Sequence, residues 1–294
     1  MACTALTSLE CSYNPISNLN VSGCTALLSL SCSGNQLISL NVLACTALTS
    51  LSCAGNQLTN LNVSACTALT SLFCCYNQLT SLDPSACPAL TYLDCRYNNL
   101  SALDVSSNSA LSMFFCGFNQ LPSINVSANS ALNVFYCDNN QLTSLNVSAN
   151  TALNDFDCSY NLLTSLNVKN GNNQLMNFNA TYNPYLSCIE VDSAAWSDVY
   201  WWNTINLNVF FSEDCGAASI SDDDQSVPIF IYPNPTTGSV YLSEQGNIAL
   251  FDFSGKLLLE QKNTNQCDLS EFPAGMYFLQ VGDNLKERFK VIKE

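Results

Sequence analysis

The sequence predicts a β-rich solenoid of nested 21-residue repeats, with parallel sheets on two faces and little helix, followed by a small C-terminal β-sandwich. Three observations carry that prediction. Cysteines recur every 21 residues at Cys11, Cys32, Cys53, Cys74, Cys95, Cys116, Cys137 and Cys158. Leucines (Leu6, Leu27, Leu48 and onward to Leu153) and asparagines (Asn14, Asn35, Asn56 and onward to Asn161) keep the same step. After Pro228 the pattern gives way to short alternating segments separated by turns, as a small antiparallel β unit requires.

Residues 48–68, LTSLSCAGNQLTNLNVSACTA, show one unit. It divides into L-x-x-L-x-C-x-x-N-x and L-x-x-L-x-V-x-x-C-x-x, and both halves resemble the leucine-rich repeat consensus. Alternation turns Leu51, Cys53, Leu61 and Val63 inward and Ser50, Ser52, Asn60 and Asn62 outward. One short strand per half, stacked coil on coil, gives the two sheets. No stretch holds a 3.6-residue period, so helix should be scarce. A ninth copy, Leu175 to Asn183, comes one residue late after an insertion near Gly171, so about nine coils span 1–186. The chain opens inside a repeat, since Ala2-Cys3-Thr4-Ala5-Leu6 matches Gly23-Cys24-Thr25-Ala26-Leu27, and no signal peptide precedes it. Its N-terminus reads as truncated.

The asparagine column suits a tight corner, where one amide both donates and accepts. The matching corner of the second half holds Cys3, Cys24, Cys45, Cys66 and Cys87, then Asn108, Asn129 and Asn150, the Cys/Asn interchange of the leucine-rich consensus. Stacked parallel strands place equivalent Cα atoms about 4.8 Å apart. Their Cβ vectors run parallel, however, whereas a disulfide wants Cβ atoms about 3.8 Å apart and a dihedral of about 90°. The repeats contain no Cys-x-x-Cys and the chain no His. The ladder thiols are therefore expected to pack as small hydrophobes. Cys75, beside inward Cys74, should point outward and react first.

Residues 187–216 read as a cap over the last coil, with Trp196, Trp201 and Trp202 supplying the apolar cover. An aromatic ligand pocket is the competing reading of that cluster. Cys188 and Cys215 stand off both ladders and bracket the segment. A disulfide between them would stabilise the fold by roughly 3–4 kcal/mol. The cap, opening C-I-x-V-D and closing F-S-E-D-C, resembles that of secreted bacterial leucine-rich proteins. Residues 217–227 read as an acidic linker, since Asp222, Asp223 and Asp224 lack the spacing of a calcium loop.

The tail, 228–294, carries four motifs in order: Tyr232-Pro233-Asn234-Pro235-Thr236-Thr237-Gly238, Asp252-Phe253-Ser254-Gly255-Lys256, Pro273-Ala274-Gly275-Met276-Tyr277, and Lys290-Val291-Ile292-Lys293. These resemble the C-terminal sorting domain of the type IX secretion system found in Bacteroidetes, with Pro233, Asn234, Pro235, Gly238, Gly255, Gly275 and Tyr277 as the motif residues. The resemblance implies a secreted or outer-membrane surface protein of a Gram-negative bacterium. It also implies the type IX secretion machinery as a partner, and an oxidising route that favours a Cys188–Cys215 bond.

Composition narrows the function. Net charge is −15, but residues 1–180 hold only seven acids and two bases, Arg96 and Lys169. The absent basic patch argues against nucleic acid or anionic membrane as partner. No apolar run approaches the roughly 18 residues of a membrane span. Without His no Ser-His or Cys-His pair exists, phosphate-cradling loops are absent, and the sparse carboxylates lack a partner motif. No cofactor, metal or enzyme activity is expected.

The outward columns differ between the faces. On the second face they hardly vary: Asn20, Asn41, Asn62, Asp83, Asp104, Asn125, Asn146 and Asn167. On the first they vary widely and gather aromatics, giving Phe73, Tyr76, Tyr92, Arg96, Tyr97, Phe115, Phe118 and Tyr136 as candidate ligand contacts. The competing reading is that these rings stack to brace the sheet. The expected function is binding or adhesion, with a protein or glycan ligand on the aromatic face. Alternatives are ice or crystal-surface binding by the flat Ser/Thr/Asn face, and a structural surface spacer.

Overall fold

A computed structural model describes residues 3–201, 204–206, 209–215, 231–253, 255–282 and 287–294. The predicted linker 217–227, Trp202 and Ser254 lie outside the described residues. The chain divides into two compact units, Met1–Ala218 and Ser219–Glu294.

In the first unit each repeat makes one coil, and the tripeptide centred on its strand leucine or phenylalanine is extended. Nine such strands, Ser8–Glu10, Ser29–Ser31, Ser50–Ser52, Ser71–Phe73, Tyr92–Asp94, Met113–Phe115, Val134–Tyr136, Asp155–Asp157 and Asn177–Asn179, form a parallel sheet in chain order. The register is strict, with Leu30 opposite Leu51 and Leu51 opposite Leu72. The second face is less regular than the first. It forms a sheet only from Ser144–Asn146 onward, through Ser165–Asn167 and Cys188–Glu190 to Phe210–Ser212. Earlier coils contribute a single bridge, Asn41 with Asn62, among the described residues. Pro84 and Pro122 fall on this face, and a proline has no N–H to give a ladder.

The corner asparagines work as their chemistry requires. Asn56 Nδ2 donates to the carbonyls of Cys53 at 3.0 Å, Ala54 at 3.3 Å and, in the coil before, Cys32 at 3.0 Å. Its Oδ1 accepts from Leu37 N at 3.0 Å. The same four bonds recur at Asn77, Asn98, Asn119, Asn140 and Asn161, so each corner is tied to its own turn and to its neighbour. The second column is only half matched. Asn129 Nδ2 donates to Val105 O at 3.0 Å and Asn108 O at 2.8 Å. The Oδ1 atoms of Asn108, Asn129 and Asn150 are buried with no protein partner.

The core is one ladder inside the coils. Leu30, Leu51, Leu72 and Leu93 give way to Phe114, Phe135, Phe156 and Phe178, stacked at centroid distances of 5.3, 5.7 and 5.8 Å. Cys53, Cys74, Cys95, Cys137 and Cys158 lie in the same core, and burial pushes their thiols well above the ordinary value. Cys188 and Cys215 are bonded, with an S–S distance of 1.98 Å, and the other fifteen cysteines are free. The short helix Ala194–Tyr200 leads into Trp201, which is 4% exposed and packs on Phe178 and Phe211. The late ninth coil is pinned by Asp192, whose carboxylate accepts from Gly171 N at 3.0 Å and Asn173 N at 3.3 Å.

The second unit is a five-stranded antiparallel sheet of Ile231–Tyr232, Ser239–Asp252, Leu257–Asp268, Gly275–Val281 and Glu287–Lys293. Where the sequence suggests short segments separated by turns, Ser239–Asp252 is one long strand, with Gly246 in register shifts of its pairing. Val240, Leu250, Cys267, Leu279 and Val291 fill its core.

Candidate functional site

On the first sheet, residues two apart along a strand point outward together, and the turn residue before each corner asparagine follows them. Across coils four to seven Phe115 stands opposite Tyr136, and Tyr92 reaches diagonally between Phe73 and Phe115. From Phe73 through Tyr92 and Phe115 to Tyr136 their ring centroids are separated by 4.4, 5.5 and 5.3 Å. Along one edge Tyr76, Tyr97 and Phe118 stack nearly parallel at 4.2 and 4.1 Å. These three hold positive φ angles of 54°, 53° and 54°, a region that side-chain-bearing residues visit rarely.

Arg96 ties the candidate residues together. Its guanidinium donates through Nε and Nη2 to the two carboxylate oxygens of Asp94, at 3.0 and 2.8 Å, and lies 4.9 Å from the Phe115 ring centroid. The Asp94 carboxylate is nearly buried while the Arg96 side chain is 33% exposed, so the pair spans the surface of the sheet. The Asp94 hydrogen bonds raise the Arg96 pKa further above its ordinary value. Tyr136 donates its hydroxyl to Asp155 at 2.7 Å, and burial with that bond pushes its pKa to about 12. Beyond it, burial raises the Asp138 pKa, and this carboxylate occupies the space a side chain at Gly117 would need.

Seven of the eight candidate residues thus fall in two adjoining rows, with Arg96 against Phe115. Sequence reading missed Asp94, Met113 and Asp138 as parts of the patch. The i, i+2 spacing of Asp94 and Arg96 was the available signal, whereas Asp138 reaches the patch only by leaning across coils. Cys75 is corrected. It is half-buried beside Asp94, and burial first and that carboxylate second push its pKa to about 12. Cys3 is the exposed thiol instead.

The uniform second face has a local explanation. The Oδ1 of Asn62, Asp83, Asn125 and Asn146 accepts from the backbone N–H two residues on, at 2.9 to 3.0 Å. Asn20, Asn41, Asp104 and Asn167 do the same. Such turns need Asn or Asp whatever lies outside. A shallow groove of 610 Å³ runs along this face from Ser123 to the Cys188–Cys215 bond. Among the described residues no group of three or more His, Cys, Asp or Glu could hold a metal ion, and no helix is long and apolar enough to cross a membrane.

In the tail the motif residues hold the C-terminal strand. Asn234 Nδ2 donates to Lys290 O, and its Oδ1 accepts from Ile292 N at 2.8 Å, so the side chain stands in for a neighbouring strand. Pro233 and Pro235 flank it. Gly238 N donates to Thr236 Oγ1 at 3.1 Å, Gly255 takes φ +80° in its turn, and Gly275 pairs opposite Lys293. The Tyr277 hydroxyl donates to Pro273 O at 2.6 Å. The Lys293 ammonium is clasped by the carbonyls of Leu269, Ser270 and Phe272.

Comparison with known proteins agrees with these two units. Residues 67–112 match the family described as leucine-rich repeats (two copies), and residues 230–294 match the secretion system C-terminal sorting domain. The chain is a leucine-rich repeat solenoid carrying a sorting domain of the type IX secretion system. That tail marks a protein secreted or held at the outer-membrane surface. No curated protein matches the sequence. Among solved structures, a leucine-rich repeat protein of Leptospira interrogans is similar at 19% identity and a TM-score of 0.54, over 70% of this chain and 54% of that one. Internalin C2 of Listeria monocytogenes is similar at 17% identity and a TM-score of 0.51, over 64% of this chain and 81% of its own. At these identities the likeness is one of fold. The chain spans about half the length of the Leptospira protein.

Proposed function

We propose that this chain is a non-catalytic binding protein that recognises a partner protein through the sheet face of coils four to seven. One observation carries the reading. Phe73, Tyr92, Phe115 and Tyr136 form a contiguous aromatic run braced by the Arg96–Asp94 pair, with Met113 40% exposed beside it. Aromatic residues, Met and Arg are the types enriched at the energetic centres of protein interfaces. Stacking does brace the sheet, and it serves binding as well, because rings that hold one another lose little freedom when a partner arrives. Phe73 and Tyr92 cover one another's faces, Arg96 lies over Phe115, and Phe115 meets Tyr136 edge to face, so much of the ring surface is already engaged. That arrangement suits protein side chains better than a sugar, which stacks on an open ring face. On the second face the asparagine oxygens are committed to their own turns, and Asp83, Asp104, Pro84 and Pro122 interrupt the array. These features weigh against a uniform ice- or crystal-matching surface there.

The test uses the full chain and extracellular proteins from the producing community, with binding measured on immobilised protein. Phe73→Ala combined with Tyr136→Ala should weaken binding by at least about tenfold, as loss of interface anchors does, while the melting temperature stays near that of the parent. Unchanged binding would place the interface elsewhere.

A further inference from the structure

The turn column of the first sheet is an aromatic ladder with a gap in it. Tyr13, Tyr76, Tyr97 and Phe118 occupy this column, and so do Gly34 and Gly55, at φ +62° and +61°. The Tyr13 ring overhangs Gly34, where an added Cβ would stand 2.6 Å from Tyr13 Cδ1. At Gly55 an added Cβ would meet only the Gly34 backbone, at 3.5 and 3.6 Å. The backbones of Tyr13 and Tyr76 are three coils apart, about 14 Å along the axis at ~4.8 Å per parallel strand; with the Tyr13 ring over Gly34, the unfilled place in the column is that of Gly55.

The consequence is that Tyr76 keeps one ring face open toward the gap, while the Tyr13 ring covers Gly34 at its other end. Tyr97 is sandwiched by Tyr76 and Phe118, whereas among the described residues Tyr76 is stacked on one side alone and Tyr13 has no ring partner. Tyr13 is 86% exposed and Tyr76 is 56% exposed. Beside the gap lie the neutral residues Ser33, Ser52 and Ala54, with the hydroxyls of Ser33 and Ser52 2.7 Å apart, and at its Tyr13 end Glu10 accepts from Ser12 N at 2.9 Å. One of the two hydroxyls donates to the other, leaving one O–H of the pair and free lone pairs.

We propose that this gap binds the terminal sugar of a neutral glycan. A pyranose has a C–H face that packs on an aromatic face and a rim of hydroxyls that pairs with hydrogen-bond donors and acceptors. The gap offers both, in the open face of Tyr76 and the Ser33–Ser52 pair. An aromatic peptide side chain would use the ring face and leave the hydroxyls unmatched, and an acidic sugar would meet the Glu10 carboxylate in the Tyr13 coil. This site goes beyond the protein-binding face of coils four to seven and does not depend on it.

Gly55→Tyr is the discriminating variant. Tyrosine already occupies this column at φ 53° to 57° in coils one, four and five, so the variant should fold, filling the gap with a ring that stacks on its neighbours. On an array of neutral oligosaccharides the full parent chain should bind, Gly55→Tyr should lose at least about tenfold in affinity, and its melting temperature should not fall. Phe115→Ala should leave glycan binding unchanged. No binding of the parent to any neutral oligosaccharide overturns the proposal, as does equal binding by Gly55→Tyr or preferential capture of aromatic peptides. Glycan binding lost in Phe115→Ala but kept in Gly55→Tyr would move the sugar to the sheet face and overturn the gap alone.

Discussion

The ring of Trp201 lies 4.6 Å, centroid to centroid, from that of Phe178, and with it the phenylalanine ladder of the core comes to an end under cover. An array of coils buries each coil against the next, so its last coil needs a lid from outside the repeat. Trp201 and Phe211 supply it, with Trp196 packed edge-on at 5.5 Å.

Trp201→Ala should therefore cost about 3–5 kcal/mol, the range for removing a large buried aromatic. Denaturant unfolding of the full chain measures it. A loss under about 1 kcal/mol would mean that the cap does not close the core.

The two asparagine columns should answer differently to the same change. Asn119 makes four hydrogen bonds, including that from Leu100 N. Asn119→Cys leaves buried carbonyls and an N–H unpaired and should cost about 2–4 kcal/mol. Asn129 already has an unpartnered oxygen, and its column carries Cys in earlier coils. Asn129→Cys should stay within about 1 kcal/mol of the parent. Equal losses at both sites would remove the distinction.

Thiol chemistry follows burial. Iodoacetamide on the native protein should modify exposed Cys3 first, with Cys75 slow despite its outward position, because its thiol is held protonated to about 12. In denaturant fifteen thiols should be counted, the number left by the Cys188–Cys215 bond. Rapid labelling of Cys75 by mass spectrometry would contradict its placement beside Asp94.

The same burial sets an alkaline limit on stability. Unfolded thiols ionise near about 8.5, while the ladder thiols, such as Cys53 and Cys95, stay protonated in the fold well above that. Above the unfolded value the native state holds protons that the unfolded state has lost, so stability is intact at neutral pH and falls as pH rises. Each fully buried thiol steepens the fall by up to about 1.4 kcal/mol per pH unit. Melting temperature should drop sharply from about pH 9 upward, and a flat profile to pH 10.5 (~2 units above the thiol value) would contradict the protonated ladder.

Most of the solenoid was legible because its determinants are local. Alternation fixes which of Leu51 and Ser52 faces inward, and an amide is the one small group that can serve both sides of the Asn56 corner. What escaped reading depends on neighbours in other coils. Cys75 is outward as expected, but Asp94 from the next coil decides its chemistry. The short segments expected in the tail join through Gly246 into one strand, since only the partner strand reveals that pairing continues past it. The second-face asparagines looked like a surface pattern, whereas their oxygens turn back to the chain. The ring rows were visible as columns, but Tyr13 leaning over Gly34 was not.

The most direct measurement is position-specific crosslinking. A photoreactive phenylalanine analogue placed at Tyr92, Phe115 or Asn62 in the full secreted chain is irradiated in the living culture. The account predicts a discrete protein adduct from Tyr92 and Phe115, on the aromatic sheet face, and none from Asn62 on the opposite face. Adducts from Asn62 alone, or none from Tyr92 and Phe115, would contradict it.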